Sequence, residues 1–265
     1  MPFTIRDLPA VMRRNGWAVG ATLMDRWFGR GARAMTGAEK TGETGSPDIE
    51  TTAVTMAWAL TFDRAVQANN HLIASWNTGE RRGPSHGVIA SRLRAWRASN
   101  PTRPGRPFRF GDLRRPATHV DATCQVNRDR IESSMFSSID DFYAAMGNAL
   151  VKLAVSGVVT PLPGDRWRLT IDEIGTYIRD TYDFNGDQRL GAWGPSGFSR
   201  AAVLAPDIPI IAERTQNDDG QRYFSVNNSS FRAYRNHYRR GGDFVIFSDI
   251  VRRRLPQPIV VEVAA

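Results

Sequence analysis

The chain has 265 residues, enough for one large domain or two small ones, and its seven Trp and thirteen Phe can build a real core. It carries 35 Lys+Arg against 27 Asp+Glu, a net charge of +8, and Lys40 and Lys152 are its only lysines, so the basic side is nearly all arginine. Arginine grips phosphate and carboxylate with a two-pronged fork, which favours an anionic partner, although a GC-rich genome would also raise the arginine content.

The single cysteine, Cys124, excludes an internal disulfide, a zinc cluster and a CxxC motif, and a small buried thiol is its commonest state. The opening MPFTIRDLPAVMRRNG has no apolar run of signal-peptide length, and no stretch approaches the ~18 apolar residues of a membrane span. The expectation is synthesis in the cytoplasm without a cleaved signal and with no transmembrane segment. Action elsewhere would need another route.

Asp7 before Leu8-Pro9 reads as a helix start. Val11, Met12, Val19, Leu23, Met24, Trp27 and Phe28 continue at helical spacing, with an interruption at Gly16. Residues 29–47 read as a loop. Residues 54–58 fit a strand, whereas Phe62, Ala65, Val66 and Leu72 fit a helix, followed by a short basic helix over 88–96. NPTRPGRP, residues 100–107, holds three prolines and no apolar residue and is the clearest linker. Ser137 or Ser138 with Asp140 and Asp141 resembles a capped helix start before Phe142, Met146 and Leu150. Residues 151–159 and 166–174 alternate as strands around a turn at 161–165, and 243–251 and 258–263 are further strands. The reading is α+β: a helical half over 1–107 that docks, delivers or covers, and a β-rich domain over 108–265 with a mostly antiparallel sheet that carries the site.

The densest chemistry lies in IRDTYDFNGDQRL, residues 178–190, where Asp180, Tyr182, Asp183, Asp187 and Arg189 fall within ten positions. Acids at the end of a buried strand need a partner or a task. Extended backbone would place Asp180 and Tyr182 on one face and Asp183 on the other, unless a turn at Asn185-Gly186 re-aims it. Two nearby carboxylates can hold Mg²⁺ or divide into acid and base. The same residues can equally cap a turn, since Asn-Gly is a strong turn signal. An EF-hand is excluded: Gly186 falls at the fourth loop position and Gly194 stands where the closing glutamate belongs.

A second cluster, FRAYRNHYRRGGD, places Phe231, Tyr234 and Tyr238 on one helical face and Arg232, Arg235 and Arg239 on a neighbouring one, with Gly241-Gly242 ending the helix. It reads either as a phosphate-binding face, with His237 as a general base, or as a solvated basic face. No nucleic-acid fold motif accompanies it, so nucleic acid is not an expected partner. His71 and His86 are weaker candidates, and GxSxG, P-loop and GxGxxG motifs are absent.

Four segments, LPAVMRRNGWAVGATLMDRWF, TAVTMAWALTFDRA, IDEIGTYIRDTYDFNGDQRLGAW and FRAYRNHYRRGGDFVIFSD, resemble an uncharacterised bacterial domain family often encoded beside type VI secretion genes. That resemblance implies a secreted effector, with secretion-spike components and an immunity protein as partners. More narrowly, DTYDFN resembles the active-site segment of colicin M and related bacteriocins, which cleave the lipid-linked peptidoglycan precursor between undecaprenyl and pyrophosphate, with magnesium. Their pattern is Asp-x-Tyr-Asp, five residues, then His-Arg. Asp180, Tyr182 and Asp183 match; Arg189 stands at the histidine position and Leu190 at the arginine position. The resemblance implies a half-barrel sheet, catalysis by Asp180, Tyr182 and Asp183 with His237 replacing the missing imidazole, Mg²⁺ on Asp180 and Asp183, and binding of the anionic precursor by Arg189, Arg232 and Arg235. The expected function is an antibacterial Mg-dependent pyrophosphate-ester hydrolase acting in the target-cell periplasm. The alternative is a non-enzymatic secretion-associated adaptor or cargo-binding protein whose acidic motif is structural.

Overall fold

The structure is a computed structural model that describes residues 3–42, 47–100, 105–133, 139–195, 197–199, 215–216 and 222–264. The fold is α+β, with helices mainly in the N-terminal half and a β-rich C-terminal half, as expected. In chain order the elements are α1 (Leu8–Arg14), α2 (Ala18–Gly29), α3 (Gly37–Thr41), β1 (Ile49–Glu50), α4 (Met56–Ala59), α5 (Asp63–Ser75) and α6 (Gly79–Ser99). There follow β2 (Phe108–Phe110), α7 (Ala117–Thr123), β3 (Gln125–Ile131), α8 (Asp141–Met146), β4 (Ala149–Leu162) and β5 (Arg166–Tyr182). The last are β6 (Arg189–Gly194), β7 (Gly197–Ser199), β8 (Thr215–Gln216), β9 (Arg222–Asn227), α9 (Asn228–Tyr238), β10 (Phe244–Phe247) and β11 (Val251–Ala264).

The N-terminal helix breaks where expected, at Gly16, whose φ of +79° favours glycine. The 29–47 loop contains α3, held by a capping box between Thr36 and Glu39. The strand expected over 54–58 is instead the short helix α4, because Thr55 caps it by accepting the Trp58 N–H. The basic helix runs well beyond 88–96, as α6. Of the 100–107 linker, 101–104 lie outside the described residues, as do Ser137 and Ser138. The helix that follows is capped by Asp140, which accepts the Tyr143 N–H. It stops at Met146, ahead of Leu150, with Gly147 at φ +62°. The run Gly191-Ala192-Trp193-Gly194, whose two glycines suggest a turn, lies in strand β6.

The chain divides into two compact units, and each draws on residues before and after position 107. The first comprises Met1–Ala53, Ser133–Asn148 and Asp180–Ile246. Here α2 lies against α8 so closely that a Cβ on Gly20 would meet the Ala144 Cβ at 3.0 Å. Asp141 accepts the N–H groups of Val19 (3.0 Å) and Gly20 (2.8 Å), which satisfies the start of α2. The core is aromatic: Trp27, fully buried, meets Phe28, Phe184 and Phe231 edge-on, and Phe184 stacks on Phe231 at 3.7 Å. β6 pairs antiparallel with β7 and β9, and β1 pairs parallel with β10.

The second unit comprises Val54–Glu132, Ala149–Arg179 and Phe247–Ala265. Its curled sheet is antiparallel and forms a half-barrel. β4 pairs with β5 from Leu150↔Arg179 to Leu162↔Arg166, with β3 and β2 along its other edge, and β11 follows β5 from Val251↔Thr176 to Ala264↔Arg166. A bulge at Ser156/Gly157 bends β4, and a Cβ on Gly157 would collide with the Thr170 carbonyl oxygen at 2.2 Å. α5 packs on β3 and β4, and α6 on β3 and β11, burying Leu72, Trp76, Ile89 and Leu93.

Candidate functional site

Strand β5 ends at Tyr182, so Asp183 stands just past the ladder, where the chain turns. Asp183 Oδ1 accepts the Asn185 backbone N–H at 3.2 Å and its side-chain N–H at 2.8 Å. Gly186, at φ +72°, completes the turn. Asp180, Tyr182 and Asp183, together with Thr181 and Phe184, line one cavity of about 140 Å³ in the first unit. Its other walls are chiefly apolar, among them Met12, Trp17, Met24 and Trp193.

Each side chain of the motif is held differently. Tyr182 is buried, donates its hydroxyl to Met24 Sδ at 3.6 Å and stacks on Phe244 at 5.0 Å. Burial, and secondarily the charge of Asp25, raises its pKa far above the ordinary phenol value, so it keeps its proton throughout the physiological range. Asp183 forms an ion pair with Lys40 at 2.7 Å. Asp180 is half-buried. Lys40 escaped the sequence reading, because it sits on α3 in the segment read as loop. The Thr36-x-x-Glu39 spacing was the available signal.

The arginine cluster does not form one open face. Residue 235 lies four positions after Phe231, so it shares the buried stripe of α9. Arg235 is accordingly 7% exposed, with its guanidinium 5.2 Å from the centre of the Trp27 ring and its charge on Asp243. Arg232 turns to the acidic loop, donating to the carbonyls of Phe184 (2.9 Å) and Gly186 and pairing with Asp187 at 3.2 Å. α9 ends at Arg239, at φ +54°, ahead of Gly241-Gly242. His237 is exposed and meets the Tyr238 ring edge-on, and Arg189 is exposed on β6. Among the described residues, neither His237 nor Arg189, Arg232 or Arg235 lines the cavity that contains Asp180 and Asp183.

Chemically, the cavity offers two carboxylates and largely apolar walls, and Asp183 carries the Lys40 ammonium, which is not among the lining residues. Among the described residues no three His, Cys, Asp or Glu side chains gather into a metal site. Two carboxylates alone nonetheless suit Mg²⁺, which commonly takes one or two from the protein and the remainder from water and substrate phosphate. The Lys40 ammonium beside Asp183 already marks a cationic position.

The other candidates fall in the second unit. Cys124 is fully buried, and burial raises its thiol to about 11, so it stays protonated at neutral pH. His71 pairs through Nδ1 with Asp129 at 2.6 Å, and His86 through Nε2 with Asn77 at 2.7 Å. Among the described residues no helix is long and apolar enough to cross a membrane.

The chain belongs to a family described as "Family of unknown function (DUF6402)", whose model matches residues 3–263. No curated protein and no solved structure matches it.

Proposed function

We propose that this member of a family of unknown function is an antibacterial effector that hydrolyses a lipid-linked pyrophosphate precursor of peptidoglycan, with type VI secretion as its route. The observation carrying the reading is that Asp180 and Asp183 line a single cavity whose remaining walls are largely apolar. Such a cavity suits a substrate with a pyrophosphate next to a prenyl chain: carboxylates serve the charged end and apolar walls receive the first carbons. Asp180 and Asp183 would hold Mg²⁺, which supplies positive charge against the pyrophosphate. Asp180 accepts a proton, at a carboxylate oxygen, from the attacking water. Lys40, paired with Asp183, offers its ammonium to the incoming phosphate. Tyr182, its hydroxyl engaged by Met24, shapes the wall and moves no proton.

The test is compartment-specific toxicity. The precursor is exposed on the outer face of the inner membrane, so expression in the cytoplasm should be tolerated and export to the periplasm should lyse the cell. Equal toxicity in both compartments points to a different target and refutes the reading.

A second reading, a non-enzymatic secretion-associated adaptor or cargo-binding protein, draws on a specific observation. Asp183 is already neutralised by Lys40 and engaged in the Asn185 turn, and Arg232 is spent on the carbonyls of the same loop. On that reading periplasmic export is harmless, and Asp180→Asn changes nothing beyond stability.

A further inference from the structure

The second unit contains a larger, open cavity of about 960 Å³, at the upper end of small-molecule sites and separate in its residues from the acidic motif. It is lined by the C-terminal half of α6, the segment from β2 to α7, the bulge of β4, and neighbouring positions on β5 and β11. We infer that this cavity binds a phosphate ester of a small ring-bearing molecule.

The charge balance points to phosphate. Four guanidinium groups line the cavity, those of Arg92, Arg109, Arg114 and Arg254, with three carboxylates, Asp112, Asp172 and Glu173. Two of the acids are committed. Asp172 takes both prongs of Arg109, at 2.6 and 2.7 Å, and Glu173 faces Arg252 at 3.7 Å. Asp112 accepts the backbone N–H of Arg114 at 3.1 Å. Among the described residues, Arg92, Arg114 and Arg254 have no carboxylate at ion-pair distance, although Arg254 stands opposite Glu173 across β5 and β11 and its charge reaches Asp172. Arg92 is instead fixed on uncharged acceptors, the carbonyls of Asp121 (3.0 Å) and Ala122, which leaves its charge uncancelled. Three such cations against Asp112 exceed what one carboxylate ligand neutralises. A phosphate monoester supplies two charges and several acceptor oxygens for guanidinium forks.

The rigidity of the cavity points to a built site. Arg109 also donates its Nε–H to Ser156 Oγ at 3.0 Å, and Ser156 Oγ donates to the Gly111 carbonyl at 2.8 Å. The Asp172 hydrogen bonds, against the opposing effect of burial, raise the Arg109 pKa further, so its charge is permanent. Trp96, which lines the cavity, is held flat against Phe108 outside the lining, 3.6 Å apart and 4° from parallel, and this pre-ordered aromatic side chain is what calls for a ring in the ligand.

The test is calorimetric titration of the full chain with uridine monophosphate and glucose 1-phosphate, beside uridine, glucose and inorganic phosphate. At least one phosphate ester should bind saturably and about tenfold more tightly than inorganic phosphate or its own phosphate-free parent. Arg114→Gln and Arg254→Gln should each weaken that ester about tenfold, the loss expected for one charge-assisted contact. Both arginines are exposed, so the variants should melt as the wild type does. Arg253→Gln, on the opposite face of β11, should leave binding unchanged. The inference is overturned if neither ester binds better than inorganic phosphate, or if Arg253→Gln weakens binding as much as Arg254→Gln, which would mean diffuse attraction to a basic protein.

Discussion

Asp243 and Asp183 lie in the same unit, and each carries a cation, yet they have opposite surroundings. Asp243 is wholly buried. Its Oδ1 accepts from Trp27 Nε1 at 3.1 Å and from Arg235, and its Oδ2 accepts from the Met35 backbone N–H at 3.1 Å. Asp183 keeps 13% of its side chain exposed, shares its acceptor oxygen between Lys40 and Asn185, and lines a cavity. An ion pair sealed among Trp27, Phe231 and Tyr234 can only hold the fold together. One at a cavity wall can exchange its partner for a ligand. Arg235 of the arginine- and tyrosine-rich helix therefore serves the fold, whereas Asp183 stands at a cavity wall.

The contrast can be broken or sharpened by substitution. Asp243→Ala strands the buried Arg235 guanidinium and should cost about 3–5 kcal/mol, read by chemical denaturation. A loss near zero would mean that the pair is not sealed. Asp180→Asn should cut hydrolysis at least ~100-fold, about 2.7 kcal/mol in the barrier, while the thermal melt hardly moves, since the amide is nearly isosteric. A large fall in melting temperature would move Asp180 to the structural class alongside Asp243. Gly241→Ala should cost about 1–3 kcal/mol, because Gly241 sits at φ +103° and a Cβ would lie 2.3 Å from a Trp27 ring atom. A neutral result would show that the Trp27 pocket yields. Asp187→Asn should change stability by less than about 1 kcal/mol and leave hydrolysis intact, since its pair with Arg232 is on a side chain that is 96% exposed.

The division into helical and β-rich halves was legible because spacing survives wherever one face is buried. Val11, Met12, Leu23, Met24, Trp27 and Phe28 are indeed core residues of α1 and α2. β5 was read only to Ile174 because Ile174 to Ile178 is buried on both faces, which erases the alternation that marks a strand. α4 was misread because Val54 and Thr55 are β-branched, and one side-chain cap outweighed that preference. The glycines of Gly191–Gly194 suggest a turn, although Gly191 is there because a Cβ would strike the Phe198 ring at 2.1 Å. At the site, Asp180, Tyr182 and Asp183 stand out by local density. Lys40 could not, because its partner lies 143 residues away; the four-residue step from Phe231 hints that Arg235 is buried, but not that Asp243, beyond the end of its helix, is its partner.

The most direct measurement asks whether the carboxylates at the end of β5 act on a pyrophosphate. Purified wild-type chain and Asp180→Asn should be incubated with the undecaprenyl-linked peptidoglycan precursor, with Mg²⁺ and with a chelator, and the released pyrophosphate-bearing headgroup measured. Release by the wild type with Mg²⁺, loss with the chelator, and at least ~100-fold less release by folded Asp180→Asn are expected. No release by the wild type, or equal release by Asp180→Asn, would contradict the proposed hydrolysis.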